Sequence, residues 1–263
     1  LINAGYCRCK DDIQMQILPV MDLLDGQVVR AVAGERWRYF PVRSGLTVTA
    51  EPVSVARALL DLAPFSALYI ADLDAITRGG SERNFAVLAN ICAEAGRRGI
   101  SELWLDAGLA SWLGTLTEKA RSYGMHIVTV VGAESLATAS ALQSSGYLPG
   151  ATDWVLSLDY RAGKFLGPAG LDECAAQWPS RVIVMELSAV GVGGGPALER
   201  LDILADTARS AGRSEIAFFA GGGVRHADDL HTLAAHGVAG ALVASALHDG
   251  HLDAAALQQF KPS

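Results

Sequence analysis

The chain has 263 residues, 51% hydrophobic and 19% charged, with a formal net charge of -7. So much apolar residue excludes a disordered protein, and the acidic balance gives no support to nucleic-acid binding, which draws on a basic face. Length admits one or two domains, and roughly 250 residues is what a single α/β barrel takes.

Cys7, Cys9, Cys92 and Cys174 are scattered, and no second pair stands at zinc-site spacing. They read as reduced thiols of a cytoplasmic protein. No apolar run reaches the ~18 residues of a membrane helix. Residues 1–6 lack the charged start and long apolar segment of a signal peptide. Residues 1–13 read as a tail before one domain over 14–263.

The first apolar run, from Ile17, delivers an acid, Asp22, and a turn at Asp25-Gly26 sends a second run back through Val28 and Val29 to Arg30. Residues 34–49 form a long loop with Arg36, Arg38 and Arg43 beside Trp37, Tyr39 and Phe40, long enough to suggest a functional lid. Pro52 opens a helix, and Val55, Ala58, Leu59 and Leu62 give it an apolar face. The second strand, from Ala67, delivers Asp72 and Asp74. A helix over about 82–96 follows, then a strand from Glu102 ending at Asp106. A helix over 111–123 leads to a strand from Ile127 ending at Gly132, and a fourth helix is expected over 135–145.

After a loop over 146–152 the plan restarts. A run from Trp154 delivers Asp159 and is followed, like the first, by a turn (Ala162-Gly163) and a short run from Lys164. A short helix carries Leu171, Cys174 and Ala175. The sixth strand starts at Arg181 and leads to a loop, Gly191 to Gly195, expected to be flexible, then a helix bearing Leu198, Leu201 and Leu204. The seventh, from Ile216, opens into Gly221-Gly222-Gly223 and a helix near Ala227. The eighth, from Gly240, is followed by Ala244-Ser245 and a closing helix over 252–260.

Apolar runs alternating with amphipathic helical patterns require parallel strands. The expected fold is α/β: an eight-stranded parallel β/α (TIM) barrel built from two similar halves, with an open doubly wound sheet as rival. In the repeat, Asp22 answers Asp159, and in a ring their strands face each other. Paired carboxylates can run an isomerisation, one ionised and abstracting a proton, the other protonated and donating to an oxygen. The competing reading has both acids capping strand-end N–H groups. Asp72 and Asp74 read as structural hydrogen bonders. Gly221, Gly222 and Gly223 can bring successive N–H groups to an anion, and Ser245 beside Ala244 adds a donor at the neighbouring strand end. His226, His231 and His236 fall on or beside one helix without ligand spacing, so neither a metal nor a cofactor is expected.

Residues 19–30, Ala71 to Ala75, Leu156 to Asp159, Gly221 to Arg225 and Ala246-Leu247 together resemble the HisA/HisF family of histidine biosynthesis, in order from about Gln14 to Phe260. The resemblance implies a β/α barrel that performs an Amadori rearrangement on a bis-phosphorylated ribotide, with Asp22 as base and Asp159 as the acid that opens the sugar ring. Arg30, where the cyclase branch usually has Lys, leans the match toward HisA and places Arg30 among the substrate-binding residues. Three stretches differ from the family pattern: Asp106-Ala107-Gly108 replaces the first-half phosphate loop; in and after strand six Met185 stands where Thr is common and Val190 replaces an acid; and the fifth-strand loop, Gly167-Pro168-Ala169-Gly170, lacks the expected Gly-Trp.

These departures suit a substrate with one phosphate. They also resemble a related group from methanogens and one-carbon-metabolising bacteria, associated with methanopterin-type cofactor synthesis. The expectation is therefore an aldose–ketose isomerase acting on a phosphorylated aminosugar or related small molecule. The alternatives are such a paralogue or a non-catalytic sugar-phosphate-binding barrel.

Overall fold

The computed structural model describes residues 13–108, 110–143 and 153–261. Its eight principal strands run Gln16–Leu24, Ala67–Asp72, Glu102–Asp106, His126–Gly132, Trp154–Arg161, Arg181–Glu186, Ala217–Gly221 and Gly240–Val243. Each pairs in parallel with the next, and the eighth pairs with the first through Leu242 and Leu18. The ring is closed, so the open-sheet rival is excluded.

Burial on both faces explains why the strands read as continuous apolar runs. One face of each strand fills the barrel interior with Leu18, Tyr69, Trp104, Val128, Val130, Val155, Ile183, Phe219 and Leu242. The other face, including Met21, Ile70, Leu103, Leu105 and Val184, packs under the helices. The lower end is sealed by Arg181, which reaches Glu102 at 3.2 Å, pairs with Asp153 and stacks 4.8 Å from the Trp104 ring. The Trp104 indole donates to Glu102 at 2.7 Å.

The two half-barrel hairpins share one turn. Asp25 and Gly26 have φ of 51° and 78°, and Ala162 and Gly163 have 50° and 76°. Positive φ at both central residues matches the twist of the strands they join. The repeat seen in the sequence is thus a repeat of backbone geometry.

Helices Pro52–Leu60, Phe85–Arg97, Leu113–Arg121, Leu198–Ser210 and Ala227–Ala235 fall where periodicity puts them. Glu51 caps the first, its carboxylate accepting from the N–H groups of Val53 and Ser54. Three expected helices differ. The one over 135–145 is two 3-10 turns, Ala133–Ser135 and Ala139–Gln143, up to where the described residues end. Thr138 and Ser140 hydroxyls meet there at 3.1 Å, and hydroxyl side chains disfavour helix interiors. The segment around Cys174 is likewise two 3-10 turns, Leu171–Glu173 and Ala175–Gln177.

The closing helix is only Ala254–Leu257, because Phe260–Lys261 leaves it to pair with Ile13–Gln14. Ile13, assigned to the tail, is therefore part of the folded unit. Cys7, Cys9 and the loop over 146–152 lie outside the described residues.

Candidate active site

A cavity of about 650 Å3 opens at the carboxyl ends of the strands, where barrels of this kind carry their sites. Asp22 from the first strand and Asp159 from the fifth both line it. The first and fifth are opposite staves of an eight-membered ring, so the sequence-predicted pair does face one space. Asp106, from the third strand, lines it between them. The register explains the placement: Asp22 pairs with Ala71, and Ala71 with Asp106, so both acids share the inward face, separated only by a methyl group.

The three carboxyls have different surroundings. Asp159 accepts a 2.7 Å bond from the Ser157 hydroxyl and a 3.4 Å bond from the Glu134 N–H. Burial outweighs both, and with Glu134 and Asp106 nearby it lifts the Asp159 pKa to about 8. Asp22 makes no side-chain hydrogen bond among the described residues, and burial, then the charge of Asp106, raises it to about 7. Asp106 accepts from the Gly108 N–H at 3.1 Å and is raised to about 7, chiefly by burial. Burial and mutual repulsion thus hold all three carboxyls well above the usual range, so that near neutral pH the group carries both protonated and ionised members, an arrangement that can donate one proton and take another.

Across the mouth, Gly222, Gly223, Ala244 and Ser245 line the same cavity. Gly221 does not: the Met185 side chain lies over it, and a β-carbon there would come within 2.7 Å of the Met185 methyl. Gly223 has φ of 87°, and a β-carbon on it would lie 2.0 Å from the Gly195 carbonyl oxygen. Only glycine fits. The Gly191 to Gly195 segment, expected to be a flexible loop, is thus packed against this turn. Gly191 also abuts the hairpin, its added β-carbon 2.3 Å from the Ala31 carbonyl oxygen.

Arg30 lines the cavity, but its guanidinium already donates to both oxygens of Asp249, 2.7 Å to Oδ1. Asp72 and Asp74 stay out of the cavity lining. Asp72 caps the short helix Leu73–Thr77 through the Ala75 N–H, and Asn84 donates to both acids at 2.7 and 2.9 Å. They are structural, as expected.

The loop over 34–49 lies across the mouth. Arg36 donates to Glu134 at 2.8 Å, Arg161 to the Gly34 carbonyl at 3.2 Å, and the Gly45 N–H to the His248 carbonyl at 2.7 Å. Tyr39 of this loop lines the cavity beside Arg36. Met185 and Val190 also line it, giving an apolar wall where the resemblance leads one to expect polar groups.

Sequence reasoning passed over Tyr69 and Arg161 and treated Asp106 only as a lost phosphate loop. Asp106 could have been found, because it is a strand-end acid like Asp22 and Asp159. Tyr69 carries no such signal in a run that reads simply as buried strand. Among the described residues no group of three or more His, Cys, Asp or Glu is placed to hold a metal ion.

The family model described as histidine biosynthesis protein matches residues 16–253. An uncharacterized protein of Methanocaldococcus jannaschii is 28% identical over 241 residues, 91% of this chain and 96% of the relative. The 1-(5-phosphoribosyl)-5-((5-phosphoribosylamino)methylideneamino) imidazole-4-carboxamide isomerase of Sphingopyxis alaskensis is 29% identical over 252 residues, 92% of this chain and 96% of the relative. The enzyme of the same name from Thermococcus kodakarensis is 25% identical over 240 residues, covering 90% and 93%. With the closed barrel and the ordered motifs, the match over nearly its whole length shows that this chain belongs to the histidine biosynthesis protein family.

Proposed function

We propose that the protein is an Amadori-type aldose–ketose isomerase acting on a phosphorylated aminosugar or related small molecule in the cytoplasm. Asp159 gives its proton to the ring oxygen of an aldosylamine, the ring opens, and the nitrogen lone pair forms the iminium. Asp22 then takes the proton from C2 and the electron pair moves toward nitrogen to give an enaminol; Asp22 returns a proton to C1 while the ionised Asp159 takes the C2 hydroxyl proton, which yields the aminoketose and restores both carboxyls. Gly222, Gly223, Ala244 and Ser245 hold the substrate phosphate through N–H and hydroxyl donors.

One observation carries this reading: two carboxyls on opposite strands of one cavity, the hydrogen-bonded one raised to about 8 and the unbonded one to about 7. Isomerase activity in relatives of the same family supports it. The test is turnover of the phosphoribosyl-imidazole-carboxamide substrate named for those relatives, alongside NMR detection of C2–H exchange in D2O for simpler aldosylamine phosphates. Exchange abolished by Asp22→Asn and by Asp159→Asn is expected. Binding without exchange in the parent protein would make it a non-catalytic phospholigand barrel.

Turnover of the histidine-pathway substrate would place it in histidine biosynthesis. Exchange on other aldosylamine phosphates alone would place it as a divergent paralogue, for example in one-carbon cofactor synthesis. The presence of Asp106 on the cavity wall favours the paralogue, since a carboxylate there repels a second phosphate.

A further inference from the structure

The side of the cavity facing the glycine turn gathers Asp22, Asp106 and Asp159, and none of the three forms an ion pair among the described residues. Of the arginines lining the cavity, Arg36 is paired with Glu134, Arg30 with Asp249 and Arg225 with Asp229, while Arg161 donates to the Gly34 carbonyl. Asp22 and Asp106 have no cationic partner, and Asp159 is bonded only to a hydroxyl and an N–H. In their midst stands Tyr69, 4% exposed and lining the cavity from the second strand. Its hydroxyl has no hydrogen-bond partner among the described residues, although Asp106, Asp159, Asp22 and Glu134 all act on it electrostatically. The hydroxyl opens onto the cavity, where a ligand atom can meet it. Carboxyls grouped around an aromatic ring are the surroundings that hold an organic cation. Their spacing does not make a metal site, since no three-ligand group is found among the described residues.

The third strand, which brings Asp106, stands opposite the seventh, which leads into Gly222 and Gly223. A ligand anchored by phosphate at that turn therefore points its other end at Asp106 and Tyr69. Resting on the phosphate position proposed above, we infer that the substrate is zwitterionic: opposite its single phosphate it carries a cationic amino group, held by Asp106 with Tyr69. Asp106 and Tyr69 are then specificity-determining residues. They select an amine-terminated phosphoester over a bis-phosphate or a neutral polyol phosphate.

The experiment is titration calorimetry at pH 7.5 with a ruler of ω-aminoalkyl phosphates of increasing chain length, the matching ω-hydroxyalkyl phosphates, and inorganic phosphate. At one chain length the amine should bind at least tenfold more tightly than its hydroxyl counterpart. Asp106→Asn should cut that preference below threefold, and Tyr69→Phe should reduce it. Affinity for inorganic phosphate, read in the same variants, checks that they are folded. A ratio near one at every length, or a preference that survives Asp106→Asn, overturns the amine site. Failure of the phosphate anchor appears separately, as no binding of inorganic phosphate to the parent protein.

Discussion

Asp106 and Asp159 approach each other across the backbone of Gly132. A β-carbon at that glycine would lie 3.3 Å from Oδ2 of Asp106 and 3.4 Å from Oδ2 of Asp159. The fourth strand thus contributes no side chain at this level, and the gap it leaves is what lets two buried acids open onto one cavity. Gly132→Ala should displace both carboxylates by a few tenths of an ångström. Because catalytic geometry is sensitive at that scale, kcat should fall on the order of tenfold or more. The stability cost should be about 1 kcal/mol. Steady-state kinetics and urea denaturation on the same sample separate the two effects.

The raised acids make stability depend on pH with a defined sign. Asp22, Asp106 and Asp159 hold protons more tightly folded than unfolded, with folded values of about 7, 7 and 8 against 3.8. Folding therefore takes up protons between about pH 4 and pH 8, and the contribution of these groups to stability declines as pH rises through that window. Asp106→Asn should be indistinguishable from the parent near pH 4 and more stable by roughly 1–3 kcal/mol at pH 8. Urea midpoints measured across the range would show it. A variant no more stable at pH 8 would mean Asp106 is solvated or paired.

Gly223 is held by two constraints, its φ of 87° and the Gly195 carbonyl oxygen against its α-carbon. Gly223→Ala should cost about 2–4 kcal/mol through strain and collision together. It should also weaken inorganic phosphate binding by more than tenfold, because the turn cannot close on Gly195. Calorimetric titration of folded protein with phosphate is the measurement. Undiminished affinity would separate the glycine turn from anion binding.

Arg181 offers the contrasting case at the far end of the barrel. It holds Glu102 and Asp153 and covers the Trp104 ring, with 18% of its side chain exposed. Arg181→Met leaves Glu102 and Asp153 without their cation. After allowance for the exposure of those acids, the loss should be about 1–3 kcal/mol. Turnover per folded molecule should not change, because no atom of this group reaches the cavity. A large fall in kcat would show that the floor of the barrel controls the site.

Arg30 shows how a residue can be found by its place in the chain while its partner cannot. The sequence puts it at the end of the first hairpin, and the structure confirms that it lines the cavity. Its charge, however, is spent on Asp249, 219 residues away, and no local pattern announces such a partner. Tyr69 was passed over for the same kind of reason. In the chain it is one residue of a buried strand, and only the surrounding ring makes it the open hydroxyl among three acids. The helices expected over 135–145 and 252–260 failed because apolar spacing was read without weighing the hydroxyl residues, or the later pairing of Phe260 with Ile13.

What the sequence determined by itself was the repeat: eight apolar strand runs alternating with helical patterns, two matching turns at Asp25-Gly26 and Ala162-Gly163, and an acid at the end of the first strand of each half. Apolar runs, turn residues and helical periodicity suffice for that, since each acts within a few residues. Which of those acids share a cavity was decided by ring closure. Closure brings the first, third and fifth strands to one mouth, strips water from their carboxyls and raises all three. The chemistry of the site follows from that desolvation and mutual repulsion, which belong to the folded barrel and to no stretch of the chain.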